Sequence, residues 1–494
     1  MNHYQVNLRS ISCQAPANPL EALKESAKSP EKEAPPLAVL TRDLELLSDL
    51  GIELLHIMPP FLMGKEKRKG IGSPYAVADY DRMDPEFGDK PEWFSLVRKA
   101  HQLGMKVILG FMPNHTARDH KWIQEDPGYY VKGPDGSPGY DFDWSDTAKL
   151  NYTHPALRKK VTDTLLYWLE GEDADSGVDG YRMDMAHMIN DLSFWDEVIP
   201  ELEQKATRPL LLLAECYGLE RNLDLFVRGF HSAYDDDFYK IAQYGFARDL
   251  QGNSRLVLDE EAEKNEDFAP RLTEWRKGGI AAAVQGLIQE YQVRAPDKLL
   301  ARYVDNHDEG RGVYRFGPQA SRVMMDLAAC MPQSILFTLA GQEAGAMNRP
   351  PIHEYFSICD KGFRQIHEDR IRKIEGIEFE GNQFFRTSEA RRQAVSEARK
   401  RFSLRKEHPC LVSGNYLPLD VQENSPDTEK TVVAFTRQLA GESLHCLFNL
   451  GHEARNLGRI PEGTLIAGSC ENATLEPFGW TLIQAPGADP RKKV

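Results

Sequence analysis

Three carboxylates, Asp184, Glu215 and Asp308, sit just past short apolar runs that lie far apart in the chain. Asp184 follows Val178-Asp179-Gly180-Tyr181 and Arg182. Glu215 follows four leucines, Leu210 to Leu213, and Ala214. Asp308 closes Tyr303-Val304-Asp305-Asn306-His307. A pair of carboxyl groups flanking one bond is what glycoside cleavage requires, one as an anion and one carrying a proton. Glu215, amid apolar neighbours, is the better candidate for the acid. Asp184 lies two positions after Arg182, so on a strand both side chains point to one face. The guanidinium is expected to keep Asp184 ionised, as a nucleophile needs. Asp308, beside His307, suits binding of sugar hydroxyls and opposing positive charge. Any one of these acids alone reads as an exposed strand-end residue. The three together, each with its own polar companions, fit one shared site.

Elements that position such a site are visible around them. Short runs, mostly apolar on both faces, suit buried parallel strands. They begin at Tyr4–Arg9, Leu54–Met58, Val107–Leu109, Val178–Tyr181, Leu210–Leu213, Phe230–Tyr234, Tyr303–Val304 and Ile335–Phe337. Amphipathic segments separate them, as Leu40, Leu44, Leu47 and Leu50 illustrate. The alternation predicts an α/β chain, a (β/α)8 TIM barrel with its polar residues gathered at the C-terminal ends of the strands. Residues 1–115 and 156–405 form that barrel. Residues 116–155, rich in Gly, Pro, Asp and aromatics, form an inserted loop-rich lobe after strand 3. Residues 406–494 change texture to strands and turns and read as a C-terminal antiparallel β domain.

Composition narrows the function classes. The 494 residues carry a net charge of −15, which argues against nucleic acid as a partner. No apolar run approaches the ~18 residues of a membrane span, so no membrane partner is expected. The N-terminal residues lack a charged and then apolar secretory pattern. The seven cysteines are scattered with no Cys-x-x-Cys pair, which fits a reducing, cytoplasmic setting.

At this point the sequence resembles the α-amylase family of glycoside hydrolases, over roughly residues 4–485. The motifs occur in order: Gly72-Ser73-Pro74-Tyr75 with Asp79-Tyr80, Met112-Pro113-Asn114-His115-Thr116, Gly180-Tyr181-Arg182-Met183-Asp184, Leu213-Ala214-Glu215, Val304-Asp305-Asn306-His307-Asp308 and Gly341-Gln342-Glu343. The resemblance implies a retaining enzyme acting on α-glucosidic bonds of maltooligosaccharides or α-glucans. Asp184 is the implied nucleophile, Glu215 the acid/base and Asp308 the transition-state stabiliser. Tyr75, Asp79, His115, Arg182 and His307 are the implied substrate-binding residues. A transglycosylase and a sucrose- or trehalose-active enzyme are neighbouring readings. A non-catalytic carbohydrate-binding relative is the competing class.

The chain departs from the family at two places. Gly110 stands where the family usually has an Asp that supports the Arg matched here by Arg182, so Arg182 must find another acid or the substrate. His187-Met188 stand where endo-acting members have Lys-His. No cofactor is required by this reading. Asn114 matches a calcium-binding Asn, and a plain turn residue is the competing reading. The run Lys65-Glu66-Lys67-Arg68-Lys69 reads as a solvated loop or an anion site, and Asp235-Asp236-Asp237 as a charged loop or a metal or sugar contact. Cys216 reads as a buried strand residue. Trp122 and Trp144 read equally as sugar platforms or as the small core of the lobe.

Overall fold

The computed structural model describes residues 1–11, 34–246, 260–354, 378–380, 383–385 and 387–486. Cys13 and Cys359 lie outside the described residues. Twelve strands carry the architecture up to residue 339. They are β1 (Asn2–Val6), β2 (Leu54–Ile57), β3 (Phe61–Met63), β4 (Val77–Met83), β5 (Lys106–Phe111), β6 (His115–Ala117), β7 (Thr147–Lys149), β8 (Gly180–Met183), β9 (Leu211–Ala214), β10 (Ser232–Tyr234), β11 (Leu299–Arg302) and β12 (Ser334–Leu339). Eight of them close a barrel in the order β1-β12-β11-β10-β9-β8-β5-β2, every neighbouring pair parallel. The strands are buried on both faces, which is why they read as continuous apolar runs.

Helices wrap the barrel by burying one stripe each. Helix Pro36–Leu50 buries Leu37, Leu40 and Leu44, spaced by three and four residues, and leaves Leu46 exposed. It stops at Gly51, whose left-handed backbone (φ 100°) lets its N–H bond to Leu47 O. Helix Lys90–Gln102 starts at a capping box between Asp89 and Glu92. Two hairpins rise from the strand ends. β3 pairs with β4, and β6 with β7, both antiparallel. The second pair frames the inserted lobe, which also holds the short helix Lys121–Glu125. Beyond helix Ser388–Glu407, five antiparallel strands form a sheet in the order Asn415–Pro418, Val432–Leu439, Glu442–Asn449, Trp480–Gln484, Thr464–Gly468.

Strand bounds differ from the sequence reading in several places, and the first, sixth and seventh show why. The first runs Asn2–Val6 rather than Tyr4–Arg9, because Asn7 accepts a hydrogen bond from Arg9 N–H and turns the chain into a 3-10 turn. The sixth is limited to Ser232–Tyr234. The seventh runs Leu299–Arg302, before Tyr303–Val304. Arg302 disguised it. A charge inside a barrel strand is unusual, yet Arg302 is fully buried and donates to Asp235 Oδ2 at 2.8 Å. That pairing also places the Asp235-Asp236-Asp237 run. It is no charged loop: all three acids are buried at the start of helix Asp236–Phe246, with Asp236 paired to Lys240 and Asp237 near Arg271. Burial and the neighbouring Asp235 push the Asp237 carboxyl up to about 7.

Candidate active site

β8 and β9 lie side by side with Arg182 opposite Leu213 and Met183 opposite Ala214. That register carries Asp184 and Glu215 out of the barrel as neighbours. Glu215 N–H donates to Met183 O at 2.9 Å, and Asp184 N–H donates to Phe111 O at 2.8 Å. Both carboxyls are buried and both touch one guanidinium. Arg182, with no exposed surface, donates from Nη1 to Asp184 Oδ1 at 2.7 Å and places Nη2 2.6 Å from Glu215 Oε1. The second contact is an ion pair without hydrogen-bond alignment. Arg182 Nε donates to Tyr234 Oη at 3.2 Å.

These contacts answer the question raised by Gly110: the two carboxylates of the site hold Arg182 themselves. The structure also shows why glycine stands there. A Cβ on Gly110 would lie 2.9 Å from Pro59 Cδ and 3.2 Å from Ile57 O, so the turn after β2 occupies the space an Asp side chain would leave through.

Glu215 collects two further donors. Met185 N–H reaches Oε2 at 3.0 Å and Tyr217 O–H reaches Oε1 at 2.8 Å. Met185 aims its N–H from a left-handed backbone (φ 42°), a conformation that costs a non-glycine residue energy and recurs at working sites. Asp184 behaves differently from the sequence expectation. Burial and the neighbouring Glu215 push its carboxyl well above the usual range, and Arg182 only partly opposes this. With Arg182 between them the two carboxyls form a dyad.

Asp308 leaves the loop after β11, with its side chain 45% exposed to the cavity. Partial enclosure opposes its ionisation, yet His307, Arg349 and Arg182 hold its carboxyl well below the usual range. His307 is fixed from several sides. Its Nε2 lies 2.6 Å from Tyr75 Oη and 3.0 Å from Asp308 Oδ2, while Nδ1 meets the Gln5 amide at 3.1 Å. The Tyr75 and His307 rings stack nearly parallel, centroids 5.2 Å apart. His115 is buried and, chiefly by that burial, pushed down to about 4, so its imidazole is neutral at ordinary pH.

A cavity of about 350 Å3 opens above the dyad, within the size range of small-molecule sites. Tyr75, His115, Asp184, Glu215, His307 and Asp308 all line it, with Arg182 beneath. Asp79 does not belong to this set. It sits on β4, turned away from the cavity, and pairs with Lys121 of the lobe at 2.8 Å. Alternation along the strand sets this placement: its neighbour Tyr80 turns inward and is buried.

The sequence reading missed Tyr217, Met185, Gln5, Lys69 and Arg349. Tyr217 was within reach, since it stands two residues after Glu215 and so shares its face in extended chain. Lys69, the end of the basic run, lines the cavity but lies near Asp143 and Asp146 at 3.6 and 3.8 Å, which offsets its charge. The two tryptophans separate: Trp122 is buried against His120 and Tyr80, while Trp144 lines the cavity. Cys216 is buried as expected.

Comparison with known proteins agrees with this arrangement. The family model described as "Alpha amylase, catalytic domain" matches residues 27–135 and 140–440. Maltase 1 of Drosophila virilis is 26% identical over 378 residues, 65% of this chain and 57% of the relative. The α-glucosidase of Culex pipiens is 32% identical over 196 residues, 33% of this chain and 32% of the relative. The chain thus spans 57% and 32% of the length of these two curated relatives. The crystal structure of an α-amylase from Lactobacillus plantarum shares the fold with a TM-score of 0.67 at 24% identity, covering 98% of each chain. With the family model matched across most of its length and the barrel closed around the dyad, the chain belongs to the α-amylase family.

Proposed function

We propose that the protein is a retaining glycosidase that cleaves α-glucosidic bonds of maltooligosaccharides. The observation that carries this reading is the shared dyad: Asp184 and Glu215 both buried on one fully buried guanidinium. Two carboxylates gathered on the two ends of one guanidinium support the closer spacing of a retaining pair rather than the about 6.5–9.5 Å of an inverting one. With the dyad's one proton carried on Glu215, the Asp184 carboxylate attacks the anomeric carbon and the bond to the leaving oxygen breaks. Glu215 passes the dyad's proton to that oxygen, then takes a proton back from water or an acceptor hydroxyl as the glucosyl ester is released. Asp308, held anionic, and neutral His115 flank the sugar as positive charge develops. The names Maltase 1 and α-glucosidase among the relatives support an α-glucoside as substrate.

The test is a product time course on maltotetraose, resolved by chromatography. Shorter sugars are expected, and an unchanged substrate overturns the reading. Longer sugars appearing alongside would make the enzyme a transglycosylase. The buried free thiols of Cys216, Cys330, Cys410 and Cys446 support a reducing compartment such as the cytoplasm.

Calcium is not needed in this reading. Asn114 Nδ2 donates to Asp141 Oδ2 at 2.8 Å, and Lys149 Nζ sits 2.8 Å from Asp141 Oδ1. The ammonium already supplies the positive charge that a metal would bring to Asp141. Asn114 Oδ1, buried and without a partner, is then a single oxygen, too few for a calcium site. No cluster of three or more His, Cys, Asp or Glu among the described residues is arranged to hold a metal. A chelator should therefore leave the thermal midpoint unmoved. Lys149→Met should lower that midpoint by a few degrees, with Asp141 stripped of its cation. A fall in midpoint on chelation of the unaltered protein sinks this part of the reading.

A further inference from the structure

We propose that Trp144 and Phe142 form an aromatic platform that carries an α-glucan chain beyond the catalytic cavity. The inference rests on the glycosidase reading above and specifies how much of the substrate the protein grips. Three rings run outward from the cavity. His115 lines it, and Trp144 lines it too, the two ring centroids 5.4 Å apart. Phe142 comes next, 5.0 Å from Trp144 in an edge-on arrangement.

Phe142 is costly where it stands. Its side chain is 72% exposed, so it adds little to the core. Its backbone is left-handed (φ 50°), a region a bulky residue enters only at an energetic cost. Residues that carry such strain recur at ligand-binding positions.

The loop that presents these rings is braced. The Asp141 carboxylate is held by Asn114 and Lys149, Trp144 N–H donates to Asp141 O at 3.0 Å, and Thr147 N–H donates to Trp144 O at 2.9 Å. Arg118 donates to Ser145 O at 2.8 Å and lies over the Tyr140 ring. The rings are set before ligand arrives, which reduces the entropy lost on binding.

A pyranose presents a face of C–H groups that packs on an aromatic ring, while its hydroxyls stay in water. An exposed ring packed against the cavity-lining Trp144 suits that ligand. It is far short of the ~1,000 Å2 that a protein partner would need to bury.

The experiment compares the unaltered protein with Phe142→Asn and Phe142→Tyr on maltoheptaose and on p-nitrophenyl α-glucoside. One aromatic contact corresponds to about a two- to tenfold change. The ratio of kcat/KM for maltoheptaose to that for the short glucoside should fall by about that factor in Phe142→Asn and be retained in Phe142→Tyr. Asn tolerates left-handed backbone, so the Phe142→Asn midpoint should not fall. An unchanged ratio, or a lowered midpoint with both substrates affected alike, overturns the platform. If the unaltered protein cleaves neither substrate, the glycosidase reading fails by itself. Tryptophan fluorescence titrated with maltoheptaose then decides the platform alone: weaker binding by Phe142→Asn upholds it, and equal binding or no binding overturns it.

Discussion

Asp184→Asn is expected to abolish turnover while leaving the fold intact. The amide keeps the shape and can still accept from Arg182 Nη1, which now lies 2.7 Å from Asp184 Oδ1. It cannot attack an anomeric carbon. Loss of a nucleophile that works as a unit with its acid typically costs about 10^4–10^6 in kcat, or about 5–8 kcal/mol of barrier. The stability effect has the opposite sign. Burial and Glu215 raise the Asp184 carboxyl in the folded state. A group raised on folding contributes stability that is present below its unfolded pKa and is lost as pH rises through its folded value. Ionising Asp184 as pH rises therefore costs the fold stability, and the neutral amide removes that cost. Kinetics on maltotetraose and a thermal scan at neutral pH check both halves. Retained turnover sinks the assignment of Asp184, and a lowered midpoint sinks the account of that cost.

The barrel and the dyad were legible in the sequence for one physical reason. Buried parallel strands must be apolar, so acids at their ends stand out, as Asp184 and Glu215 do after β8 and β9. What stayed hidden broke that rule or depended on distance along the chain. β11 carries Arg302, which is tolerable only because Asp235, 67 residues away, neutralises it. Gln5 steadies His307 across 302 residues, and nothing local in β1 announces it. Asp79 stands outside the cavity lining for a different reason. A motif match transfers a residue but not its facing, and β4 turns Asp79 toward Lys121. Gly110 was visible as a departure, but its meaning lay in Pro59, whose ring fills the space beside it.

Arg182→Met is expected to do more damage to the fold than any change to the carboxylates it holds. Arg182 is fully buried, contacts both Asp184 and Glu215, and lies over the Tyr75 and Tyr234 rings at 5.7 and 5.4 Å. With Gly110 in place of an acid, those two carboxylates are its ionic partners at the floor of the site, and it is theirs. Removing one member of a buried pair leaves charge uncompensated and costs about 3–5 kcal/mol. The cost must depend on pH. Without the guanidinium, nothing opposes burial and mutual repulsion, so the Asp184 carboxyl moves further above its usual range. Stability lost through a carboxyl raised on folding grows as pH rises, so the midpoint deficit should be larger near about pH 8 than near about pH 5. The double variant Arg182→Met with Asp184→Asn removes one of the two repelling charges. It should recover part of the deficit, a coupling that a double-mutant cycle of thermal midpoints measures directly. Arg182→Lys should recover less, since a point charge on a flexible stem cannot meet two carboxylates at once as a planar fork does. Activity should fall in every one of these variants, because the fork also sets the spacing of the two carboxyls. A deficit of equal size at both pH values, or no recovery in the double variant, would show that Arg182 supports the fold through its packing alone rather than as the charge that lets the dyad exist.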